Sequence, residues 1–216
     1  MIFRKPVFWI TATLLFIIGL FYSVQVFPKA FAILNVDLKM DREAAFSQSN
    51  TLAEKNNWGP DNYNQVASFS HDTRTQNFVE LDAGGVEKVS SLMHDGLYHF
   101  YTWTVRHYRE HEPNETRIVF TPAGDFYGFK ETLAEIEKGA ALGTGEARVI
   151  AENFVQNETS IQLSEFEAIE TSEEVMPSER IDHTFVYQRI KEQIGDGFFR
   201  LRLVVSGDKV TELKHF

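Results

Sequence analysis

ETRIVFTPAGDFYGFKETL, residues 115–133, decides how this chain is read, because FFRLRLVVSGDKVTELKHF, residues 198–216, has the same form. Each is an apolar-alternating run, a small-Gly-Asp turn and a second alternating run. That is the signature of a β-hairpin whose turn needs the positive φ that Gly adopts freely. Laying Tyr101 onward against Thr184 onward without a gap pairs Arg106 with Arg189, Arg117 with Arg200, Gly124 with Gly207 and Asp125 with Asp208. The second hairpin places Phe216 in its final strand, and a chain that stops inside its own sheet reads as a piece of something larger.

Each hairpin has a helix upstream. DREAAFSQSNTLAEKN reads as a helix capped by Asp41, with Ala45, Phe46, Leu52 and Ala53 on one face and Trp58-Gly59-Pro60 as its stop. TGEARVIAENFVQN opens the same way at Thr144 and puts Ala147, Ile150, Ala151, Phe154 and Val155 on one stripe. The strand-like runs of the first unit are YNQVASFSHD, TQNFVELD, YTWTVRHYRE, ETRIVFTP and DFYGFKETL. Those of the second are FEAIETSEEV, DHTFVYQRI, FFRLRLVVS and DKVTELKHF. The expected fold class is α+β: two repeated modules, each one helix on an antiparallel sheet. Residues 30–134 form the first and 135–216 the second, with EIEKGAALG (135–143) as a hinge and about twenty extra residues between helix and hairpin in the first copy.

The 216 residues include 31 acidic and 21 basic side chains and no cysteine, for a formal net charge of -10. Such a balance excludes a nucleic-acid partner, which needs a basic surface to neutralise phosphates. The lack of cysteine excludes disulfides, thiolate chemistry and Cys-rich zinc sites. The N-terminus carries the sharpest signal. Val7 to Phe27 holds no charged residue, long enough at about 1.5 Å per residue to span a hydrocarbon core of about 30 Å. Residues 1–29 therefore read as a cytoplasmic start and a transmembrane helix, with lipid as partner through residues 7–27. Arg4 and Lys5 put the N-terminus in the cytoplasm and the bulk of the chain outside, and Trp9 and Tyr22 near the two interfaces. AFA at 30–32 would also suit a signal peptidase, but the apolar stretch exceeds the usual h-region of about 7 to 15 residues, which favours an uncleaved single-pass anchor.

SFSHDTRTQNFVEL, YTWTVRHYRE, the 115–133 hairpin, DHTFVY and the closing hairpin, all behind one membrane helix, resemble the N-terminal extracytoplasmic extension of bacterial CPBP-family (CAAX-protease-like) intramembrane metalloproteases. The resemblance implies a bacterial cell-membrane protein in which a downstream bundle of membrane helices holds the catalytic metal. In that family the signature is Glu-Glu-x-x-x-Arg with Phe-x-x-x-His and a further His. Here the one Glu-Glu pair, Glu173-Glu174, has Ser178 where Arg would stand, so no catalytic residue carries over and no cofactor is expected in this chain. The implied role is a recognition or regulatory domain, its partners the downstream protease domain or a peptide or protein ligand. The alternative is a stand-alone anchored binding or inhibitor module. Both modules also resemble the PepSY-like and cystatin-like plan, a likeness of fold that says little about activity.

Candidate sites follow from strand alternation. In YTWTVRHY, Tyr101, Trp103, Val105 and His107 share one side, expected to pack under the Asp41 helix. Thr102, Thr104, Arg106 and Tyr108 share the other, and they are the candidate binding residues, since Tyr and Arg recur at interface hot spots. The competing reading of that side is a solvated face with ordinary cross-strand pairs. The aromatic run DFYGF carries the same two readings. His107 and His111 have the i,i+4 spacing of a helical metal site, but on a strand four residues span about 13 Å. They read as surface histidines near a loop, and an enzyme built on them is the weaker rival. GTGEA lacks the ending of a phosphate loop and reads as a helix cap, and EFEAIETSEE reads as a charged strand edge that discourages pairing.

Overall fold

The computed structural model describes residues 5–30, 33 and 36–216; Arg4 and the Phe31-Ala32 part of the candidate cleavage site lie outside the described residues. Helix α1 (Pro6–Ala30) contains one stretch, Pro6–Phe27, long and apolar enough to cross a membrane, and it buries nothing against the rest of the chain. An apolar helix exposed all round has no solvent-facing side, which suits lipid and not water.

Helix α2 (Arg42–Asn56) starts where Asp41 Oδ1 accepts the Ala44 N–H at 2.8 Å. It stops at Asn57, which takes the left-handed φ of 53° expected of a C-terminal cap, one residue before the Trp-Gly-Pro stop read from the sequence. Trp58 is thereby freed to turn inward. The second long helix, Thr144–Glu158, is capped by Gly143 and not by Thr144. Glu146 reaches back to accept the Gly143 N–H at 3.2 Å, an arrangement that asks nothing of a cap side chain. The buried stripes of the two helices are Ala45, Ser49 and Ala53, and Ala147, Ala151 and Val155. Residues this small let a helix lie close on a sheet.

The sheet has eight strands: β1 (Asn64–His71), β2 (Tyr101–Tyr108), β3 (Glu115–Phe120), β4 (Phe126–Thr132), β5 (Phe166–Val175), β6 (Ile181–Ile194), β7 (Gly197–Ser206) and β8 (Lys209–His215). Their order is β1-β2-β3-β4-β8-β7-β6-β5, every neighbour antiparallel. The chain winds two four-stranded meanders and joins them at their last strands, where Phe129 faces Leu213 and Lys130 faces Glu212. Phe216 continues the pairing past β8, exchanging both backbone bonds with Arg200 at 2.9 and 3.0 Å.

One core runs beneath both meanders, so the boundary between residues 134 and 135 does not separate two cores. Val105, Ile118 and Phe129 from the first half share a cluster with Phe185, Leu203 and Leu213 from the second. Trp58 sits at the junction, its ring 3.9 Å from that of Phe129 and 6.2 Å from that of Phe154 on the opposite helix. Glu131 closes the seam: it accepts the Gly59 N–H at 2.8 Å and pairs with Lys209, whose Nζ also donates to the Asn57 carbonyl.

Three expectations are corrected. TQNFVELD is a helix, not a strand: α3 (Thr73–Asp82) is nucleated by Asp72, which accepts the Thr75 N–H at 3.1 Å and the Thr75 hydroxyl at 2.6 Å. With α4 (Gly85–His94), unread from the sequence, and Thr144–Glu158 as α5, α3 accounts for the extra residues of the first half. This pair packs a second cluster, Val79, Val89, Leu92 and Phe100, against Ile194 at the tip of the long β6–β7 arm. The 135–143 segment is no hinge. Buried Arg180 donates to the carbonyls of Ala134 and Glu137, Ser178 to those of Glu135 and Glu137, and His183 bonds the Leu142 carbonyl at 2.9 Å. Asn114 adds two bonds, to Glu137 and to the Ala134 N–H. Last, the gapless pairing of the hairpins does not match the register. Thr121 to Asp125 separate β3 from β4, whereas Gly207-Asp208 alone separate β7 from β8, so the two hairpins align only with a shift.

Candidate functional site: the open face of the sheet

Helices α2 and α5 cover one face of the sheet. The other face is read from the register. A row crosses it through Val66, Arg106, Arg117, Lys130, Glu212, Val204, Thr184 and Ser172, each opposite the next. The neighbouring row contains Ser68, Thr104, Val119 and Gly128 in the first half and Lys214, Arg202, Val186 and Glu170 in the second. All four candidate residues from β2, Thr102, Thr104, Arg106 and Tyr108, lie on this face and are half-buried. The structure brings them together with side chains from other strands that the sequence alone did not join to them.

The strands shape the face into two hollows. One of about 700 Å³ lies over the second half, between Lys130, Arg200, Arg202 and the edge carboxylates Glu170 and Glu174. The other, about 410 Å³, lies over Thr102, Thr104, Arg117 and Lys130, extends to Arg202 and Lys214, and ends at His99, Tyr127 and His215. Glu115 takes both Arg106, at 2.6 Å from Nε, and Arg117 at 2.8 Å, while the Arg106 guanidinium lies 4.5 Å over the Tyr108 ring. Glu212, almost enclosed at 7% side-chain exposure, stands 3.4 Å from Lys130 and 3.8 Å from Arg202. In a protein of net charge -10 the middle of this face is therefore cationic.

At one end of the smaller hollow, a bulge at Tyr127 in β4, opposite Val119 and Phe120 of β3, turns Tyr127 onto His215, the rings 4.2 Å apart and nearly parallel. Burial pushes His215 down to about 4, and neighbouring His99 acts in the same direction. Burial also lowers His99, against the pull of Asp125, and raises Tyr127. These groups stay neutral and can offer hydrogen bonds but not charge. The aromatic run 125–129 thus divides: Phe126 and Phe129 join Trp58 in the core, and Tyr127 faces the hollow.

His107 is no surface histidine. It is fully buried under α2, stacked 3.9 Å from the Tyr63 ring, with Nε2 3.2 Å from Ser49 Oγ; burial alone pushes it down to about 4. Ser49 and His107 have the spacing of a nucleophile and its base, but neither reaches solvent, and His107 Nδ1 has no orienting partner. Their contact fastens helix to sheet. His111 lies beyond β2 in a turn, at φ 64°, and among the described residues no group of three or more His, Cys, Asp or Glu is placed to hold a metal ion. The acidic run forms β5, an edge strand exposed along nearly its whole length, as its charges required.

The chain matches no protein-family model, no curated protein and no solved structure.

Proposed function

We propose that this protein is a membrane-tethered recognition domain, held outside the cytoplasm by α1, that binds a polypeptide on the open face of its sheet. The observation that carries this reading is that face itself. Helices cover one side of an eight-stranded sheet, while the other displays Thr102, Thr104, Arg106 and Tyr108 beside two hollows lined by polar side chains. A solvated face needs no such concavity, and clefts with few, placed polar groups are the usual form of binding sites. Lys5 before an uncharged span supports the inside-to-outside orientation.

The two meanders, each led by a helix and meeting at their last strands, support descent from one repeated module. The client of the recognition is inferred from the resemblance to the CPBP-protease extension. In that reading the domain presents substrate to, or gates, a membrane-embedded metalloprotease. A domain fixed near the bilayer gains effective concentration for such a neighbour without new contacts.

The chain has no cysteine, so a single one introduced by Thr104→Cys reports without background. Labelling by a membrane-impermeant maleimide in intact cells is expected at that position. Labelling only after lysis would overturn the orientation, and no labelling even after lysis would overturn the accessibility of the face.

A further inference from the structure

The open face repeats one feature in both halves. In β3–β4 a bulge at Val119/Phe120 is followed, two pairs along, by Arg117 directly opposite Lys130; in β7–β8 a bulge at Val204/Val205 is followed, two pairs along, by Arg202 directly opposite Lys214. Like charges placed opposite each other in an antiparallel pair are destabilising, by a few tenths of a kcal/mol to about 1. Here the arrangement occurs twice at matching positions, on either side of the β4–β8 seam. Arg106 extends the first pair, facing Arg117 from β2.

Internal carboxylates do not cancel this charge. Glu115 is shared between Arg106 and Arg117, and Glu212 between Lys130 and Arg202. Lys214 forms no ion pair among the described residues, nor does Arg200, which donates to Gln188. The cations stay reachable: the side chains of Arg117 and Lys130 are 56% and 61% exposed, and that of Arg202 is 41% exposed. Further carboxylates stand at the rims: Asp72, which accepts from Thr75 and Tyr98, at the end of the smaller hollow, and Glu135, Glu170, Glu173 and Glu174 around the larger one, where Asp182 is taken by Arg180.

We propose that the Arg117–Lys130 and Arg202–Lys214 pairs form a double seat for carboxylate side chains of an extended acidic peptide laid across β3, β4, β8 and β7. Two strand spacings of about 4.8 Å and a two-residue offset between the rows set the centres of the two pairs about 12 Å apart, and side chains four residues apart on an extended peptide stand about 13 Å apart. Acidic residues at i and i+4 would each reach one pair, and the planar guanidinium in each pair suits a carboxylate in two-point contact. Thr102 and Thr104, on β2 just beyond the Arg117–Lys130 seat, line the same hollow and offer hydroxyls to the peptide backbone as it passes that seat. The concave form and the enclosed Glu212 favour a narrow chain with separated charges over a flat anionic bilayer.

This inference rests on the recognition reading, whose ligand class it names. It is tested with the full chain in nanodiscs of neutral lipid and a fluorescein-labelled octaglutamate peptide, read by fluorescence anisotropy. Binding is expected to weaken as salt rises. The double variants R117Q/K130Q and R202Q/K214Q are each expected to weaken it at least tenfold while the protein stays folded with a cooperative melt, since the repulsion each relieves offsets the ion pairs to Glu115 or Glu212 that it gives up. Octaglutamate that does not bind, or binds both variants as well as the parent, overturns the seat. So does pair-dependent binding to phosphatidylserine vesicles without binding to the peptide, which would make the face a lipid surface. A seat that fails while an uncharged peptide still competes at Thr104 leaves the recognition reading standing. Thr104 reached only from the cytoplasmic side refutes the orientation without touching the seat.

Discussion

Acid should destabilise this protein through its buried histidines, His107 and His215, before its carboxylates are titrated, and the His107 share can be isolated. The ring is fully buried and burial holds it at about 4, against 6.5 for a free histidine. The unfolded chain therefore binds more protons than the folded one between those values. The stability contributed by the neutral ring is complete above pH 6.5 and is lost as pH falls toward 4. Between pH 7 and pH 5 a shift of this size removes about 2 kcal/mol, from a full value of about 3 kcal/mol. Its neighbours are Ser49 from α2 and Tyr63 in the loop before β1, and no charged group contributes to the shift. The assay is denaturant unfolding of the full chain in nanodiscs at both pH values, followed by tryptophan fluorescence. H107N is less stable at pH 7 but should lose about 2 kcal/mol less than the parent on going to pH 5. Equal losses in parent and variant would refute the burial argument.

Three further outcomes test the fold. Trp58→Ala removes the ring stacked on Phe129 and tilted against Phe154 and should cost about 3–5 kcal/mol, seen as a lower denaturation midpoint with an unchanged slope. Gly128→Ala places a Cβ 2.5 Å from the Leu213 carbonyl oxygen across the β4–β8 seam; a loss of about 1–3 kcal/mol is expected, and none would contradict the seam. Arg180→Ala releases the carbonyls of Ala134 and Glu137, so brief trypsin treatment should cut at Lys138 in the variant and spare it in the parent.

The hairpins and helices α2 and α5 were legible because each rests on a local period, of two or of 3.6, and the long apolar N-terminal helix because it carries no charge over Val7 to Phe27. Helix α3 was not, because Phe78, Val79 and Leu81 satisfy neither period well, and the decisive signal was the Asp72 cap. Helix α4 was legible in principle from Val86, Val89, Leu92 and Met93, which recur at helical spacing. The 135–143 segment was misread as a hinge because its anchors, Ser178, Arg180 and His183, come from the following hairpin. For the site, alternation correctly grouped Thr102, Thr104, Arg106 and Tyr108. Register and two bulges, not local pattern, set Arg117 against Lys130 and Arg202 against Lys214. The gapless comparison paired Arg117 with Arg200 and hid the match. His107 was placed on the core side of β2, but its partner Ser49 belongs to a helix far upstream in sequence.

The central claim is that recognition happens on the open face and not on the helical side. It is tested most directly by placing a photo-cross-linking benzoylphenylalanine at position 104 on the open face, and in a second variant at position 149, an exposed site on α5, in intact cells. A discrete adduct from position 104 that octaglutamate competes away, with none from position 149, is the expected result. No adduct from position 104, or equal adducts from both positions, would contradict the account.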